Sequence, residues 1–408
     1  MRRRVVVTGA GVVSALGCSV SAAFERLKKP VNCVERSEEL AGYKGLQSVL
    51  CAPARFARPP EYTRKVVRTM SPVSIMALNA TEQALRQAGL ENDPVLSSGR
   101  AGVAYGSCYG GIEANADFMA VIVDREIRNV TSSTYVKMMP QTCAVNLSVH
   151  FGITGRLLPA NVACASGSLA IGEAFEAVAW GAQDVMLAGG AEEFSVTQVA
   201  VFDTLFATSR RNAEPELTPR PFDRNRDGLV IGDGAGTLVL EERGRALARG
   251  ATVLAEITGF ATNSDGRHVT QPNPGTQAEC MRLALESASL SPDGVGYVNA
   301  HGTGTKLGDA AEGAALSEVF GGVRPPVSTI KGYTGHTLGA CGAIEAALTI
   351  EMMRNGWFAP NLNLDDPDPA CGDHDFIVGS GRAFGAETAM SNNFAFGGVN
   401  TSLVFRLP

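Results

Sequence analysis

A cysteine near the middle of the chain and two histidines far downstream have the residue types of an acyl-transfer site. Cys164 comes just before a long run rich in alanine and glycine, which predicts a helix beginning next to the thiol. The unpaired N–H groups and positive dipole end of a helix start favour a thiolate nucleophile. His301 and His336 lie in turns rich in glycine and threonine, with Lys331 shortly before His336. A thiol, two histidines and a lysine can together perform chemistry on a thioester.

The residues around the two histidines predict that the histidines act as hydrogen-bond donors or acid–base groups rather than as metal ligands. Thr303 and Thr305 place hydroxyl groups beside His301, and no two histidines have the HExxH spacing of a zinc-protease helix. Glu312 follows on a predicted helix, where its carboxylate could neutralise Lys331. We therefore expect that no metal is required.

Short apolar strands alternate with helices, and these elements must position the reactive residues. Strands are predicted at 5–7, 100–105, 185–188, 237–240, 253–257, 295–298, 327–330 and 401–405. Helices are predicted at 74–88, 165–180, 309–319 and 340–353. The alternation predicts α/β architecture with buried sheets. A glycine-rich turn precedes an alanine-rich helix in both parts, which is a weak internal repeat.

Composition narrows the class of protein. With 408 residues the chain exceeds one typical domain, and its net charge of −6 argues against a nucleic-acid partner. The nine cysteines are scattered and odd in number, which favours free thiols in a reducing cytoplasm. No apolar run is long enough for a membrane span, and glycines interrupt the N-terminal apolar stretch, unlike a secretion signal.

The segment from Gly9 to Ser14 has some similarity to a dinucleotide-binding fingerprint. Ser14 replaces the third glycine, and no acidic residue ends a second strand about 20 residues later. A turn at the end of the first strand explains the glycines better, so we expect no nucleotide cofactor.

Four motifs, taken in their order along the chain, make this sequence resemble the β-ketoacyl-acyl-carrier-protein synthases of types I and II, which are condensing enzymes with the thiolase fold. The resemblance covers essentially the whole chain and is carried by 5–14, 161–168, 299–305 with 331–339, and 391–400, together with 221–228 and 232–236. It implies an α/β thiolase fold with two pseudo-duplicated halves in a five-layer αβαβα sandwich. Residues 1–250 would form the half with the nucleophile, and 251–408 the half with both histidines.

The resemblance also implies an acyltransferase that performs a decarboxylative Claisen condensation in fatty acid biosynthesis. Cys164 would take an acyl chain from the phosphopantetheine arm of an acyl carrier protein, and malonyl carrier protein would then lose CO2 and attack the acyl-enzyme. His301 and His336 would donate to the malonyl thioester oxygen, while the N–H groups of Cys164 and Phe396 would hold the oxyanion of acyl transfer. The substrates carry phosphopantetheine, so no other cofactor is expected. The assembly would be a homodimer, or a heterodimer with a related ketosynthase-like subunit.

Other residues receive roles from the same resemblance. Lys331, paired with Glu312, would position the histidines. The predicted substrate-binding residues are Thr303 and Thr305, which would bond the pantetheine amides, with Phe394, Tyr109, Phe202, Leu229 and Thr270. The predicted carrier-protein docking residues are the basic Arg64, Lys65, Arg68, Arg210 and Arg211, since exposed charges steer an acidic partner. A structural monovalent cation, held in some family members, would lie near Asn299, Glu345, Ser391 and Asn392.

Some positions depart from the family pattern and leave the substrate open. Tyr109 stands where the family carries a small or aliphatic residue, Ala395 replaces a glycine of the gate, and Leu229 stands where phenylalanine is common. A specialised polyketide or aryl-polyene ketosynthase therefore stays an alternative. A chain-length-factor subunit lacks the nucleophile that Cys164 supplies. A degradative thiolase would carry a second cysteine near the C-terminus, and segment 394–398 has none.

Overall fold

The computed structural model describes residues 2–408. Up to residue 250 the strands are β1 (Val5–Ser14), β2 (Glu35–Arg36), β3 (Leu50–Ala52), β4 (Ala101–Gly106), β5 (Leu157–Ala160), β6 (Val185–Glu192), β7 (Ile231–Gly232) and β8 (Gly234–Glu242). The helices are α1 (Val20–Leu27), α2 (Glu38–Ala41), α3 (Pro72–Ala88), α4 (Ile112–Asp124), α5 (Ser132–Met138), α6 (Thr142–Phe151), α7 (Ser166–Ala179), α8 (Val196–Thr204) and α9 (Arg243–Ala248).

The remaining elements repeat the alternation. The strands are β9 (Ala255–Ser264), β10 (Tyr297–Asn299), β11 (Pro326–Ser328), β12 (Trp357–Phe358), β13 (Asp375–Phe376), β14 (Arg382–Ala383), β15 (Thr388–Ala395) and β16 (Val399–Arg406). The helices are α10 (Pro274–Ala288), α11 (Lys306–Phe320), α12 (Lys331–Thr334) and α13 (Cys341–Asn355).

One 11-stranded sheet runs through both halves in the order β13-β11-β10-β15-β16-β9-β1-β8-β6-β4-β5. The halves meet where Val5–Val7 of β1 pairs antiparallel with Ala255–Ile257 of β9. In the first half β4 is parallel to β5 and β6, and in the second half β10 is parallel to β11 and β15. The two halves therefore share one continuous backbone hydrogen-bond network.

The strands of the two halves form two layers, and helices form three more, one outside each set of strands and one between them. This arrangement confirms the predicted five-layer thiolase fold. Helices α3 and α6 cover the outer face of the first-half strands, and α10, with α11 packed beside it, covers the outer side of the second half. Helices α7 and α13 pack against each other between the two sets of strands. Because α7 and α13 are enclosed on several sides, nearly all their side chains are buried.

The two central helices begin in the same way. A short turn at 163–165 leads into α7, and a similar turn at 338–340 leads into α13. Each turn starts with a non-glycine residue in the left-handed region, Ala163 at φ 50° and Leu338 at φ 46°. The internal repeat thus extends to the backbone conformation at both helix starts.

The predicted turn after the first strand is wrong. Strand β1 continues through Gly9 and Gly11 to Ser14, fully buried and paired with β8. A Cβ atom at Gly9 would lie 2.0 Å from the carbonyl oxygen of Ala84, and one at Gly11 would lie 1.9 Å from that of Ala80. The glycines are therefore required by the close approach of helix α3 to the strand.

Candidate active site

Cys164 lies in the tight turn that precedes α7. It is 4 % exposed, and the left-handed Ala163 directly before it turns the chain sharply. The Ser166 hydroxyl fixes the turn, since it donates to the carbonyl oxygen of Ala163 at 2.7 Å and accepts from the N–H of Val162 at 2.9 Å. The predicted helix start is confirmed, with the cysteine two residues ahead of the helix proper.

His301 lies in the loop between β10 and α11. Its N–H donates to Glu312 at 2.7 Å, and the N–H of Gly302 donates to the other oxygen of the same carboxylate at 2.8 Å. Glu312 lies on α11 and is buried. This carboxylate therefore fixes the backbone of the loop that carries the histidine.

His336 follows α12 and is held by its backbone. Its N–H donates to the carbonyl oxygen of Val230 at 2.7 Å, and its carbonyl oxygen accepts from the N–H of Gly232 at 3.0 Å. Both ring nitrogens are buried without a hydrogen-bond partner. The first half of the chain thus positions a histidine of the second half.

The three predicted catalytic side chains converge. One ligand atom from each of Cys164, His301 and His336 lies within 4.8 Å of the others. The two imidazole rings are perpendicular, with centroids 5.3 Å apart and an interplanar angle of 87°. Residues far apart in the sequence therefore face one small volume beside the thiol.

The predicted pairing of Lys331 with Glu312 is wrong. Lys331 Nζ forms an ion pair with Glu345 of α13, and each of these two side chains is only 1 % exposed. Asn393 Nδ2 donates to the second oxygen of Glu345 at 2.7 Å. Glu312 is occupied by two backbone N–H groups instead. The sequence alone does not show whether Glu312 or Glu345 pairs with Lys331. The packing of α13 places Glu345 against the lysine.

Lys331 and Asn393 set the proton position on His301. Both side chains donate to Nδ1, at 3.3 Å from Lys331 Nζ and 3.4 Å from Asn393 Nδ2. Burial, followed by the positive charge of Lys331, holds the pKa of His301 well below its usual value, so the ring is neutral. A neutral ring that accepts at Nδ1 carries its proton on Nε2. His301 is therefore a hydrogen-bond donor.

The same arrangement opposes metal binding at this cluster. The spacing of the thiol and two imidazoles suits a metal ion. A metal-binding histidine, however, usually donates its other N–H to a carboxylate or carbonyl. His301 instead faces the ammonium group of Lys331 at Nδ1 and keeps its proton on Nε2.

The expectation of a stabilised thiolate is wrong for the free thiol. Burial raises the pKa of Cys164 to about 11, although the N–H groups of Phe396 and Cys164 and the charge of Lys331 oppose this effect. Burial also lowers the pKa of His336 well below its usual value, so no imidazolium stabilises the sulfur anion. Desolvation outweighs the helix start in this pocket.

A cavity of about 540 Å³ leads to Cys164 and the two histidines. Its volume lies in the range of small-molecule sites. Most of the predicted substrate-binding residues line it, and they are Phe202, Leu229, Thr270, Thr303, Thr305 and Phe394. Phe396, Glu312 and Arg210 also line it.

Two phenylalanines border the cavity on the β15–β16 hairpin. Phe394 is the next-to-last residue of β15, and its ring lies edge-on to His301 with centroids 6.2 Å apart. Phe396 lies in the turn and packs on Phe202 with ring centroids 5.0 Å apart. Gly397 and Gly398 take positive φ, whereas Ala395 ends the strand in extended conformation. The left-handed turn therefore needs its two glycines and tolerates alanine at 395.

Thr303 and Thr305 present hydroxyl groups to the cavity. Their Oγ1 atoms lie 3.0 Å apart, and Thr305 Oγ1 also accepts from the N–H of Gly308 at the start of α11. Asp309 accepts from the N–H of Thr303 at 3.0 Å. Arg226 donates to the carbonyl oxygen of Thr305 at 3.1 Å. Sequence reasoning missed Asp309 and Arg226, although Arg226 lies in the quoted 221–228 segment.

The other predicted residues lie outside this cavity. Tyr109 follows Cys108, which packs against the apolar cluster that contains Cys164. Arg211 is near Glu214 and Asp227, each at 3.6 Å, so its charge is partly neutralised. Arg64, Lys65 and Arg68 are exposed on the segment before α3.

The predicted cation position has only part of a ligand cage. Asn299 donates through Nδ2 to Ser391 Oγ at 3.1 Å and keeps a buried Oδ1 without a partner. Asn392 Oδ1 already accepts from Ser402. Glu345 is occupied by Lys331 and Asn393. The cation stays a prediction, with Asn299 Oδ1 as the acceptor that fits it.

Comparison with protein-family models decides the family. The model described as "Beta-ketoacyl synthase, N-terminal domain" matches residues 2–246, and "Beta-ketoacyl synthase, C-terminal domain" matches residues 254–365. The chain belongs to the β-ketoacyl synthase family. The division predicted at residue 250 falls between these two matches and stays a prediction.

Relatives of this β-ketoacyl synthase match it over its whole length. The 3-oxoacyl-[acyl-carrier-protein] synthase 1 of Escherichia coli strain K12 is 36 % identical over 408 residues, which cover 99 % of each chain. A crystal structure of a β-ketoacyl synthase from Burkholderia phymatum STM815 has 54 % identity and a TM-score of 0.98, with 100 % of both chains covered. A type II polyketide ketosynthase, solved with its acyl-carrier protein and bound to the hexaketide, has 29 % identity and a TM-score of 0.88, again over 100 % of both chains.

Proposed function

We propose that this β-ketoacyl synthase condenses an acyl group on Cys164 with malonyl carrier protein in fatty acid biosynthesis. The observation that carries the proposal is the meeting of Cys164, His301 and His336 in one cavity. The E. coli relative, named a 3-oxoacyl-[acyl-carrier-protein] synthase, supports the reaction. The enzyme is thus an acyltransferase.

Acyl loading begins with attack of the Cys164 sulfur on the carrier thioester. A bond forms between this sulfur and the acyl carbon, the carbon–sulfur bond to phosphopantetheine breaks, and the thiol proton passes to the departing sulfur. The N–H groups of Cys164 and Phe396 face the sulfur. They hold the negative oxygen that develops on the acyl carbon, and removal of one such donor costs on the order of 10² to 10³ in rate.

Decarboxylation uses the two histidines. When the malonyl thioester loses CO2, the electron pair of the broken carbon–carbon bond forms an enolate with charge on the thioester oxygen. His301 Nε2–H and the neutral His336 ring lie beside this position and donate to the oxygen. The enolate carbon attacks the acyl-enzyme, a carbon–carbon bond forms, and the Cys164 sulfur leaves and takes up a proton.

Thr303 and Thr305 bind the pantetheine amides in this scheme. Their hydroxyl groups line the cavity and are held by the loop that also carries His301. The phosphopantetheine arm thus enters along the loop that also carries His301. Arg64, Lys65, Arg68, Arg210 and Arg211 receive the acidic carrier protein. The carrier complex of the polyketide ketosynthase relative supports a carrier protein as partner.

The assembly is a homodimer in this proposal. Strand β5 is the last strand at one end of the sheet, and its Leu157 is exposed. Exposed edge strands invite pairing and are usually covered. Helix α4 also leaves Met119, Ile122 and Val123 exposed. Sedimentation equilibrium should give twice the chain mass, and a related ketosynthase-like subunit in the complex would indicate a heterodimer instead.

The cytoplasm is the proposed location. All nine cysteines are free thiols in the structure, as a reducing compartment allows. Among the described residues no helix has both the length and the apolar character of a membrane span.

Intact-mass measurement after exposure to acyl-loaded carrier proteins tests the function. The wild-type chain should gain one acyl group, which peptide mapping should place on Cys164. Cys164→Ala should gain none, whereas Cys108→Ala, which removes a neighbouring thiol, should still be acylated. Loading only by polyketide or polyene chains would assign the enzyme to a specialised pathway, and acylation of another cysteine would refute the proposal.

His301→Ala and His336→Ala separate the two half-reactions. Both variants should lose malonyl decarboxylation by on the order of 10² or more, yet still load acyl groups, because backbone N–H groups hold the loading oxyanion. Release of CO2 from malonyl carrier protein is the measurement. Normal CO2 release by either variant would contradict the assigned role.

A further inference from the structure

A second cavity, of about 480 Å³, lies between the segment before α3 and helix α5. Arg58, Arg64, Arg68 and Lys137 line it, together with the hydroxyl-bearing residues 131–133. No carboxylate lines this space. We refer to it as the cationic cavity.

The four cations have no internal counter-charge. In residues 2–408 none of them forms an ion pair, whereas arginines elsewhere, such as Arg220 and Arg226, pair with buried or half-buried aspartates. The chain as a whole has a net charge of −6, so its composition does not explain a local excess of positive charge. Four like charges around one space repel each other and favour an anionic occupant.

The lining matches phosphate chemistry. Guanidinium groups bind phosphate through two parallel hydrogen bonds, Lys137 adds a point charge, and the serine hydroxyls add neutral donors. The space is much larger than one phosphate group and falls in the size range of small-molecule sites. We propose that the cationic cavity binds a small molecule carrying two or more linked phosphates, such as a nucleoside polyphosphate.

A compact anion can reach the charged side chains on both sides of the cationic cavity. Arg64 and Arg68 are exposed at the outer face, where a protein partner could reach them. Lys137 is only partly exposed, and it lies on α5 across the space from them. A compact polyphosphate can contact both sides at once.

Binding at this cavity has a consequence for the proposed function, and this step rests on that function. Arg64 and Arg68 belong both to the cavity and to the proposed carrier-docking surface. An occupant therefore neutralises charges that the acidic carrier protein needs, and it competes with the carrier while leaving the Cys164 cavity free.

Isothermal calorimetry on the full chain tests binding without any substrate. Wild-type protein is titrated with orthophosphate, pyrophosphate and ATP, and the two polyphosphates should bind at least about tenfold more tightly than orthophosphate. Arg58→Gln with Lys137→Gln should weaken polyphosphate binding about tenfold or more, because both residues line the cavity. The matched control is Lys65→Gln, which removes a neighbouring exposed charge outside the cavity and should leave binding within about twofold.

The outcomes separate the possible occupants. Absence of polyphosphate binding to wild type would overturn the proposal, and so would an equal loss in the Lys65→Gln control. If no polyphosphate binds but the double variant raises the KM for carrier protein, the cavity belongs to carrier docking. In kinetic assays ATP should raise the KM for carrier protein without lowering kcat. Acyl loading, measured separately by mass, shows whether the proposed function itself has failed.

Discussion

The reactivity of Cys164 is set by burial. Its thiol lies in an apolar cluster with Phe202, Leu229 and Leu338, and the neighbouring imidazoles are neutral. Without an adjacent cation strong enough to hold a thiolate, the free enzyme keeps its sulfur protonated. A protonated thiol reacts slowly with oxidants, so we expect Cys164 to resist oxidation in the free enzyme.

Alkylation of Cys164 by iodoacetamide should depend steeply on pH. A thiol is protonated below its pKa, so with a pKa of about 11 the reactive thiolate fraction rises about tenfold per pH unit across the neutral and mildly alkaline range. Peptide mapping follows the rate, and Cys18→Ser removes the exposed competing thiol. A rate that levels off near neutral pH would show that the thiolate is stabilised after all.

Tyr109 lies outside the cavity, but it directly follows Cys108, which packs against the apolar cluster around Cys164, so it should restrict the acyl chains that the enzyme accepts. Its ring is half-buried, and burial raises the pKa of its hydroxyl, so the group is neutral and needs room and a partner. Tyr109→Gly should load long saturated chains more efficiently than wild type does. Mass measurement of loading from a series of short to long acyl carriers checks this, and equal loading by both proteins across the series would contradict it.

At the level of elements, the Lys331–Glu345 ion pair joins α12 to α13 beneath the histidines. Lys331→Met should cost about 3–5 kcal/mol in the free energy of unfolding, because it leaves a buried carboxylate without its partner. The double change Lys331→Met with Glu345→Met should recover most of this loss, since no charge is then buried alone. Urea denaturation of the three proteins is the measurement, and additive losses would show that the pair is not coupled.

The sequence predicted some elements of the site and not others, for identifiable reasons. Cys164 and the two histidines were found because each lies in a distinctive run of small residues, and the helix at 166–179 followed from its composition. The partner of Lys331 depended on how α13 packs across the site, which no local pattern records. Gly9 and Gly11 suggested a turn because their true cause, contact with α3, lies about 70 residues further along the chain.

For the whole molecule, charge on one face should govern encounter with the carrier protein. Changing Arg64, Lys65 and Arg68 to Glu should raise the KM for carrier protein and flatten its dependence on salt, because exposed charges steer association and are screened by ions. A pantetheine thioester without the carrier protein should show a much smaller change in KM. Equal losses with both substrates would mean that this segment supports the fold.

The central place of β1 in the sheet has a consequence during synthesis. Its partners are β8 and β9, whose residues are made roughly 220 or more positions later. At about 5–20 residues per second, the ribosome needs roughly 10–45 seconds to deliver them. During this time an apolar, glycine-containing segment has no strand to pair with and can associate with other nascent chains. Slower growth at low temperature or extra chaperone should therefore raise the yield of folded protein. A substitution in the active site should change this yield less, because it does not alter the delay before β1 is paired.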